Sequence, residues 1–471
     1  MKIVIIGAGK VGYQLVESLL NENHDITVID NSQDVIDKLN DNFDVLAIKG
    51  NGVSSQLLVK SDCANADLLI AVTNSDEANI VSCITAKKLG TKSVIARVRN
   101  PEYVSELKFM QKNLDIEFII NPELATAQEI MRLLLNSYSS YTVDFAKGRV
   151  RIAKVQIDSH SSLAERQIKD IDLPESIIIA AISRNGRVII PNGSDYIYPK
   201  DTLYVLGERI SIDGFARTLG LPIAHDNDKA RNVLIIGGGK TAFYLAKELE
   251  HAGVNVKIIE ENLERCRELA EGLDNTLVLH GDGTDIELLK TENVEKMDAF
   301  VAATGFDEEN LLLSLLAKQL GAKKVIAKVS RSSYTSVIET IGIDNAVSPK
   351  LITARDILRL IRGGKIVSMS LLIGGQAEVI EIMPQEGAPI INKPLKDVGI
   401  SKGVMIGAIF RNGKIIIPKG DAIISSTDRV IVFTLESHID KVNKLFNLKR
   451  GGVSIHERLN SSQEFGDAAP L

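Results

Sequence analysis

The sequence has no tryptophan, three cysteines and only 4% aromatic residues. So few aromatic rings leave little for stacking on single-stranded nucleic acid. The cysteines, Cys63, Cys83 and Cys266, are far apart and odd in number. No CxxC pair exists, which disfavours a zinc ribbon and a disulfide scaffold and fits a reducing compartment. Long apolar runs are missing too: nothing approaches the ~20 residues a membrane-spanning helix needs. The apolar start, Ile3 to Ile6, is cut by Gly7 and is far shorter than the apolar core expected of a signal sequence. Excess positive charge is also absent. Lys+Arg is 55 against 61 Asp+Glu, a net charge of −6. That balance argues against a nucleic-acid binder and a basic membrane-surface patch.

What is present is a duplication in 471 residues, a length that allows three or four domains. Asp67–Val98 aligns with Asp298–Val329 at an offset of 298 − 67 = 231, with 15 of 32 positions identical. Chance gives roughly two. Ile182–Gly193 aligns with Ile409–Gly420 at an offset of 227, with 8 of 12 identical. The chain therefore reads as two copies of one unit, each with two lobes.

The first lobe of each copy alternates short apolar strands with amphipathic helices. This predicts an α/β fold, a Rossmann-like doubly wound parallel sheet. A helix then follows, Glu123–Leu135 in one copy and Leu351–Ile361 in the other. The second lobes carry hairpin signals, Asn185-Gly186 and Asn412-Gly413 between apolar runs, which predict small α+β lobes. The expected domains are 1–136, 137–225, 226–362 and 363–448, with a flexible tail over 449–471. The polar stretch Ala224–Arg231 is the expected linker between copies.

The chemistry-bearing motif is Gly7-Ala8-Gly9-Lys10-Val11-Gly12, at the junction of a predicted strand and helix. Gly7 permits the tight turn, Gly9 lets the backbone approach a pyrophosphate, and Gly12 lets helix and strand pack closely. The helix start offers free N–H groups to phosphate. Asp30 lies 23 residues after Gly7, where a carboxylate accepts ribose hydroxyls and disfavours a 2′-phosphate. Copy two repeats the register with Gly237, Gly239, Lys240 and Glu260, and has Ala242 at the third glycine. Asn51 and Asp282 follow the third strand, on the expected adenine side. Thr73 and Thr304 end the fourth strand beside the phosphate loop. Arg97 and Lys328 end the fifth, where each could pair with phosphate.

Other chemistries are poorly supported. Gly239-Lys240-Thr241 resembles the end of a Walker A loop, but the required first glycine is Leu234. None of the seven histidines recurs between copies, and no catalytic set or metal-ligand set stands out. The repeated acids Asp76-Glu77 and Asp307-Glu308 begin a helix, where compensation of the helix dipole explains them.

Gly7-Ala8-Gly9, Asp30, Ala71-Val72-Thr73, Asp76-Glu77, Asn79 and Arg97-Val98-Arg99 together resemble the KTN/RCK regulators of potassium transport. Arg184-Asn185-Gly186 and Pro191 resemble their C-terminal TrkA_C lobe. The resemblance covers about 1–446; Asn51 stands where the family usually has Asp. It implies a non-enzymatic regulatory subunit that binds NAD or NADH, with ATP and ADP as further ligands. It implies assembly as a ring, tetrameric or built from dimers, with no nucleic acid partner. The ring sits beneath a TrkH/TrkG-type potassium channel or transporter, so the subunit is cytoplasmic and held at the inner membrane face by its partner. It also makes Ser137–Ser140 and Gly363-Gly364 hinges. An NAD-dependent oxidoreductase and an adaptor unrelated to ion transport are the alternatives.

Overall fold

The computed structural model describes residues 1–20, 24–104, 106, 111, 113–135, 142–146, 148–219, 230–331, 334, 338, 341–362, 366–372 and 376–448. The expected hinges and tail lie outside these residues, as does most of the expected linker. The chain divides into two compact units, Met1–Leu135 with Lys229–Leu358, and Asn136–Asp228 with Arg359–Arg450. The first holds both Rossmann-like lobes, the second both small lobes.

In the first lobe the order is β1 (Lys2–Ile6), α1 (Lys10–Leu20), β2 (Asp25–Asp30), α2 (Gln33–Asn42), β3 (Leu46–Lys49) and α3 (Ser55–Lys60). There follow β4 (Leu68–Ala71), α4 (Asp76–Leu89), β5 (Val94–Arg97), α5 (Pro101–Val104), β6 (Phe118–Ile120) and α6 (Pro122–Leu135). The six strands lie in the order β3-β2-β1-β4-β5-β6 and every pair is parallel. The order reverses between β1 and β4. At such a switch point the strand ends open a crevice where doubly wound folds take ligands.

β1 and β4 are buried on both faces, which is why their sequences are unbroken apolar runs. α4 starts where the Ser75 hydroxyl accepts the Ala78 amide, 3.1 Å away. It stops at Gly90, whose φ of +117° is left-handed.

The first small lobe holds β7 (Thr142–Phe145), β8 (Val150–Gln156), β9 (Ile177–Arg184), β10 (Arg187–Ile189), β11 (Thr202–Glu208) and α7 (Arg209–Thr218). Its sheet runs β10-β9-β11-β8-β7 and is antiparallel. Asn185 and Gly186 have φ of 50° and 75° at the β9–β10 turn, as the type I′ signal requires.

Copy two repeats the Rossmann-like lobe as β12 (Asn232–Ile236), α8 (Lys240–His251), β13 (Asn255–Glu260), α9 (Leu263–Gly272), β14 (Leu277–His280) and α10 (Ile286–Thr291). β15 (Ala299–Ala302), α11 (Asp307–Gln319), β16 (Val325–Lys328), β17 (Asn345–Val347) and α12 (Pro349–Arg362) complete it. Its sheet, β14-β13-β12-β15-β16-β17, matches the first strand for strand. The last small lobe holds β18 (Ile366–Leu372), β19 (Ala377–Ile382), β20 (Val404–Arg411), β21 (Lys414–Ile416), β22 (Arg429–Leu435) and α13 (Ile439–Leu445).

The helix that ends the first Rossmann-like lobe packs against the second copy as well. Ile130, Leu133 and Leu134 of α6 share one buried cluster with Val233, Ile235, Tyr244 and Leu245 of copy two. Three such side chains contribute about 1.5–3 kcal/mol each when buried, so α6 clamps the two Rossmann-like lobes into one body. The small lobes also share a core, in which Phe145, Ile152 and Leu206 meet Val379, Ile431 and Phe433.

Candidate functional site

Each glycine loop is shaped by contacts that leave one side open. Gly7 has φ of +91°, and a Cβ there would lie 2.9 Å from the Thr73 amide nitrogen. A Cβ on Gly12 would lie 2.0 Å from the Gly7 carbonyl oxygen. A Cβ on Gly9 would meet nothing within 4 Å. So Gly7 and Gly12 are required by the protein's own packing, whereas Gly9 is not. In copy two Gly237 lies as close to Thr304 and Gly239 is equally open. Ala242 takes the third position and is fully buried.

The acids that end β2 and β13 brace these loops. Asp30 Oδ2 accepts the Ala8 amide at 2.7 Å and Oδ1 accepts the Ser32 amide at 2.9 Å. Glu260 accepts the Gly238 amide at 2.5 Å and the Asn262 amide at 2.8 Å. Each oxygen has a second lone pair for a ribose hydroxyl. Copy two adds Arg265, whose Nε donates to the Gly238 carbonyl at 2.7 Å.

Asn51 and Asp282 stand beyond β3 and β14 and each folds its own turn. Asn51 Oδ1 accepts the Val53 amide at 3.1 Å. Asp282 Oδ1 accepts the amide and hydroxyl of Thr284, at 2.8 and 2.7 Å. The Thr284 hydroxyl, then its amide, hold the Asp282 carboxyl below the usual range.

Thr73 and Thr304 are fixed by asparagines that sequence reasoning did not single out as site residues. The wholly buried Asn79 accepts the Thr73 amide and hydroxyl, at 2.8 and 2.7 Å. Its Nδ2 donates to the Arg97 carbonyl at 2.9 Å. Asn310 does the same for the Thr304 amide and the Lys328 carbonyl. One asparagine in each copy thus ties the end of one strand to the next. Their signal in the sequence was identity between copies.

The repeated acids turn out to have a second task. Asp76 accepts the amides of Arg99 and Asn100, both at 2.8 Å. Asp307 accepts those of Ser330 and Arg331, both at 2.9 Å. They satisfy the backbone where the chain leaves β5 and β16, beyond any effect on the helix dipole.

Charge crosses between copies. Lys10 and Lys240 are both exposed. Glu77 is held below its usual range first by its own amide and the Ser75 hydroxyl, with Lys240 of the other copy adding to the effect. Glu308 is lowered first by the Tyr334 hydroxyl, and Lys10 adds its charge there. Each loop lysine is therefore within electrostatic reach of the other copy's acid.

Arg97 is engaged rather than free. It pairs with Glu123, the second residue of α6, with N···O 3.0 Å. Burial pushes its guanidinium below the usual range, and Glu123 opposes that shift. Lys328 instead donates to the Ala303 carbonyl at 3.0 Å. Glu123 was not expected as a site residue, since it reads as an ordinary helix-start acid. Among the described residues no group of three or more His, Cys, Asp or Glu side chains could hold a metal ion. The three cysteines are buried.

The TrkA-N domain family matches residues 3–122 and 233–349, and the TrkA-C domain family matches 152–220 and 379–447. The chain belongs to the TrkA family. A Trk system potassium uptake protein TrkA homolog 1 from Methanosarcina mazei is 41% identical over 454 residues, 95% of this chain and all of the relative. The Trk system potassium uptake protein TrkA of Azorhizobium caulinodans is 35% identical over 461 residues, 95% of this chain and 99% of the relative. Membership of the TrkA family makes this a regulatory protein of potassium uptake rather than an enzyme. The solved GsuK channel bound to NAD has the same fold, with a TM-score of 0.56 at 17% identity, covering 97% of this chain and 79% of that one. Among the described residues no helix is long and apolar enough to cross a membrane.

Proposed function

We propose that this TrkA-family chain senses adenine nucleotides in its two Rossmann-like clefts and gates a potassium channel or transporter of the TrkH/TrkG type. NAD or NADH is the first ligand, with ATP and ADP as further ones. The residues proposed to bind are Gly7, Gly9, Lys10, Gly12, Asp30, Asn51, Thr73 and Arg97, with Gly237, Gly239, Lys240, Glu260, Asp282, Thr304 and Lys328 in copy two. The observation that carries this reading is the pairing of an open second glycine with a braced carboxylate, made twice. The open side of Gly9 and Gly239 admits a pyrophosphate against the backbone, and the helix starts supply its N–H groups. That a GsuK structure of the same fold carries NAD supports the ligand.

Gating needs no bond made or broken. A nucleotide biases the assembly only by the difference in its affinity for two states. A tenfold difference per site is about 1.4 kcal/mol, and coupled sites multiply it. A pore partner, a ring of these chains and a cytoplasmic place at the inner membrane face complete the proposal.

The test is calorimetric titration with NADH and ADP, with potassium flux measured in membranes that hold the channel subunit. Asp30→Ala should lose affinity in the first cleft and blunt the nucleotide response of flux while the protein stays folded. Flux that responds normally to nucleotide in a variant that no longer binds it would refute the gating role of that cleft.

A further inference from the structure

Among the differences between the two clefts, one reverses the sign of a charge, Glu123 against Lys350, and it bears on the cation that ends the fifth strand. Arg97 and Glu123 are 12% and 18% exposed, and they make one hydrogen bond at 3.0 Å. A guanidinium and a carboxylate can make two in parallel. Here Arg97 Nε and Glu123 Oε2 are both buried with no hydrogen-bond partner among the described residues. Unpaired buried atoms of this kind are costly. The pair is therefore held together by charge but is poorly satisfied as a geometry.

The other negative charges near the pair are committed to their own partners. The charge of Glu123 also reaches Lys328 of copy two, a buried amine on which Lys10 acts in turn. Two cations, Arg97 and Lys328, thus share this acid, whose second oxygen is unpartnered. Asp76 and Asp307 lie nearby but are taken up by backbone amides and, for Asp76, by the Arg99 side chain. In copy two the residue matching Glu123, at an offset of 227, is Lys350. It feels Glu17 and Lys38 of copy one instead.

We infer that Glu123 is an internal anion occupying, at Arg97, the position of a ligand's terminal phosphate, and so sets the specificity of the first cleft. This rests on the nucleotide reading above. A terminal phosphate carries up to two charges and three acceptor oxygens, and it satisfies a guanidinium better than one carboxylate oxygen does. A nucleoside diphosphate or triphosphate would displace Glu123 and turn the first residues of α6. A dinucleotide such as NAD presents only internal diester phosphates, each with one charge. It would lie along the glycine loop and leave the Arg97–Glu123 pair closed. The two ligand classes would then set α6 in two states, and α6 is the helix that clamps copy one to copy two.

The test uses the full chain with the second cleft silenced by Glu260→Ala. In that background Glu123→Gln should tighten ADP roughly tenfold and change NAD affinity less than about twofold. Hydrogen exchange at residues 123–126 should rise on adding ADP, and not on adding NAD, only while Glu123 is present. Unchanged ADP affinity, or equal tightening of ADP and NAD, overturns the inference and leaves the nucleotide reading standing. If ADP and NAD bind neither protein, both fall. The reciprocal variant guards against a folding failure: with the first cleft silenced by Asp30→Ala, Lys350→Glu should weaken ADP at the second cleft, and no weakening counts against the inference.

Discussion

Tyr244 of the second repeat donates its hydroxyl hydrogen to the carbonyl oxygen of Arg99 in the first, 3.0 Å away. The Tyr244 hydroxyl oxygen in turn accepts Asn121 Nδ2 at 3.0 Å. One phenol thus joins both ends of the β5–β6 segment of copy one to a helix of copy two. Burial pushes its hydroxyl up to about 12, with the Asn121 bond opposing. Removing the hydroxyl leaves a half-buried donor and acceptor unpaired. Tyr244→Phe should therefore cost about 1–2 kcal/mol, seen as a lower urea midpoint with an unchanged slope.

The third and second glycines of the motif should separate folding from binding. A Cβ at position 12 would strike the Gly7 carbonyl. Gly12→Ala should cost about 1–3 kcal/mol or more. Gly9→Ala meets no protein atom and should change stability by less than about 1 kcal/mol. It should still weaken nucleotide binding, because it fills the approach to the backbone. Thermal melts and titration on both variants decide this. Equal loss of stability in the two would contradict the geometry.

Asn79 and Asn310 each bond two neighbouring strand ends from a fully buried position. Asn79→Leu should cost roughly 2–4 kcal/mol, because several backbone groups lose partners at once. Denaturant unfolding measures this. The loss should exceed that of Asn51→Leu, whose side chain is exposed and makes a local turn.

Acid should destabilise both Rossmann-like lobes through a matched pair of carboxylates. Burial alone would raise Asp67 and Asp298, but their lysine bonds, to Lys92 and Lys323, and their backbone amides outweigh it. Both are thus held below the ordinary value of about 3.9. A depressed carboxyl stabilises the fold above its unfolded value, and that stability is lost as pH falls through the folded one. Stability should fall from about pH 4 downward. Asp67→Asn together with Asp298→Asn should flatten that fall, as read from melting temperature against pH.

Much of this was legible from single residues. Unbroken apolar runs at Ile3–Ile6 and Leu68–Ala71 specify buried parallel strands, because only strands covered on both faces dispense with alternation. Asn185-Gly186 specifies its turn, because two successive residues must take positive φ. The identity of Asn79 and Asn310 across copies marked them, but the partners they hold are 18 residues away in sequence. Pattern reasoning has no access to such a bond. Glu123 was hidden more fully, since an acid in a first helical turn already has an ordinary explanation.

The sequence by itself determined the duplication, the two doubly wound sheets, the paired glycine loops and the acids 23 residues beyond them. These are local or periodic features, written in spacing. Only the tertiary structure decided that α6 buries itself against the other copy and that Arg97 is held by Glu123. Those facts arise where packing brings distant segments into one low-dielectric region, in which an unpaired charge is costly and each group must take the partner that folding delivers.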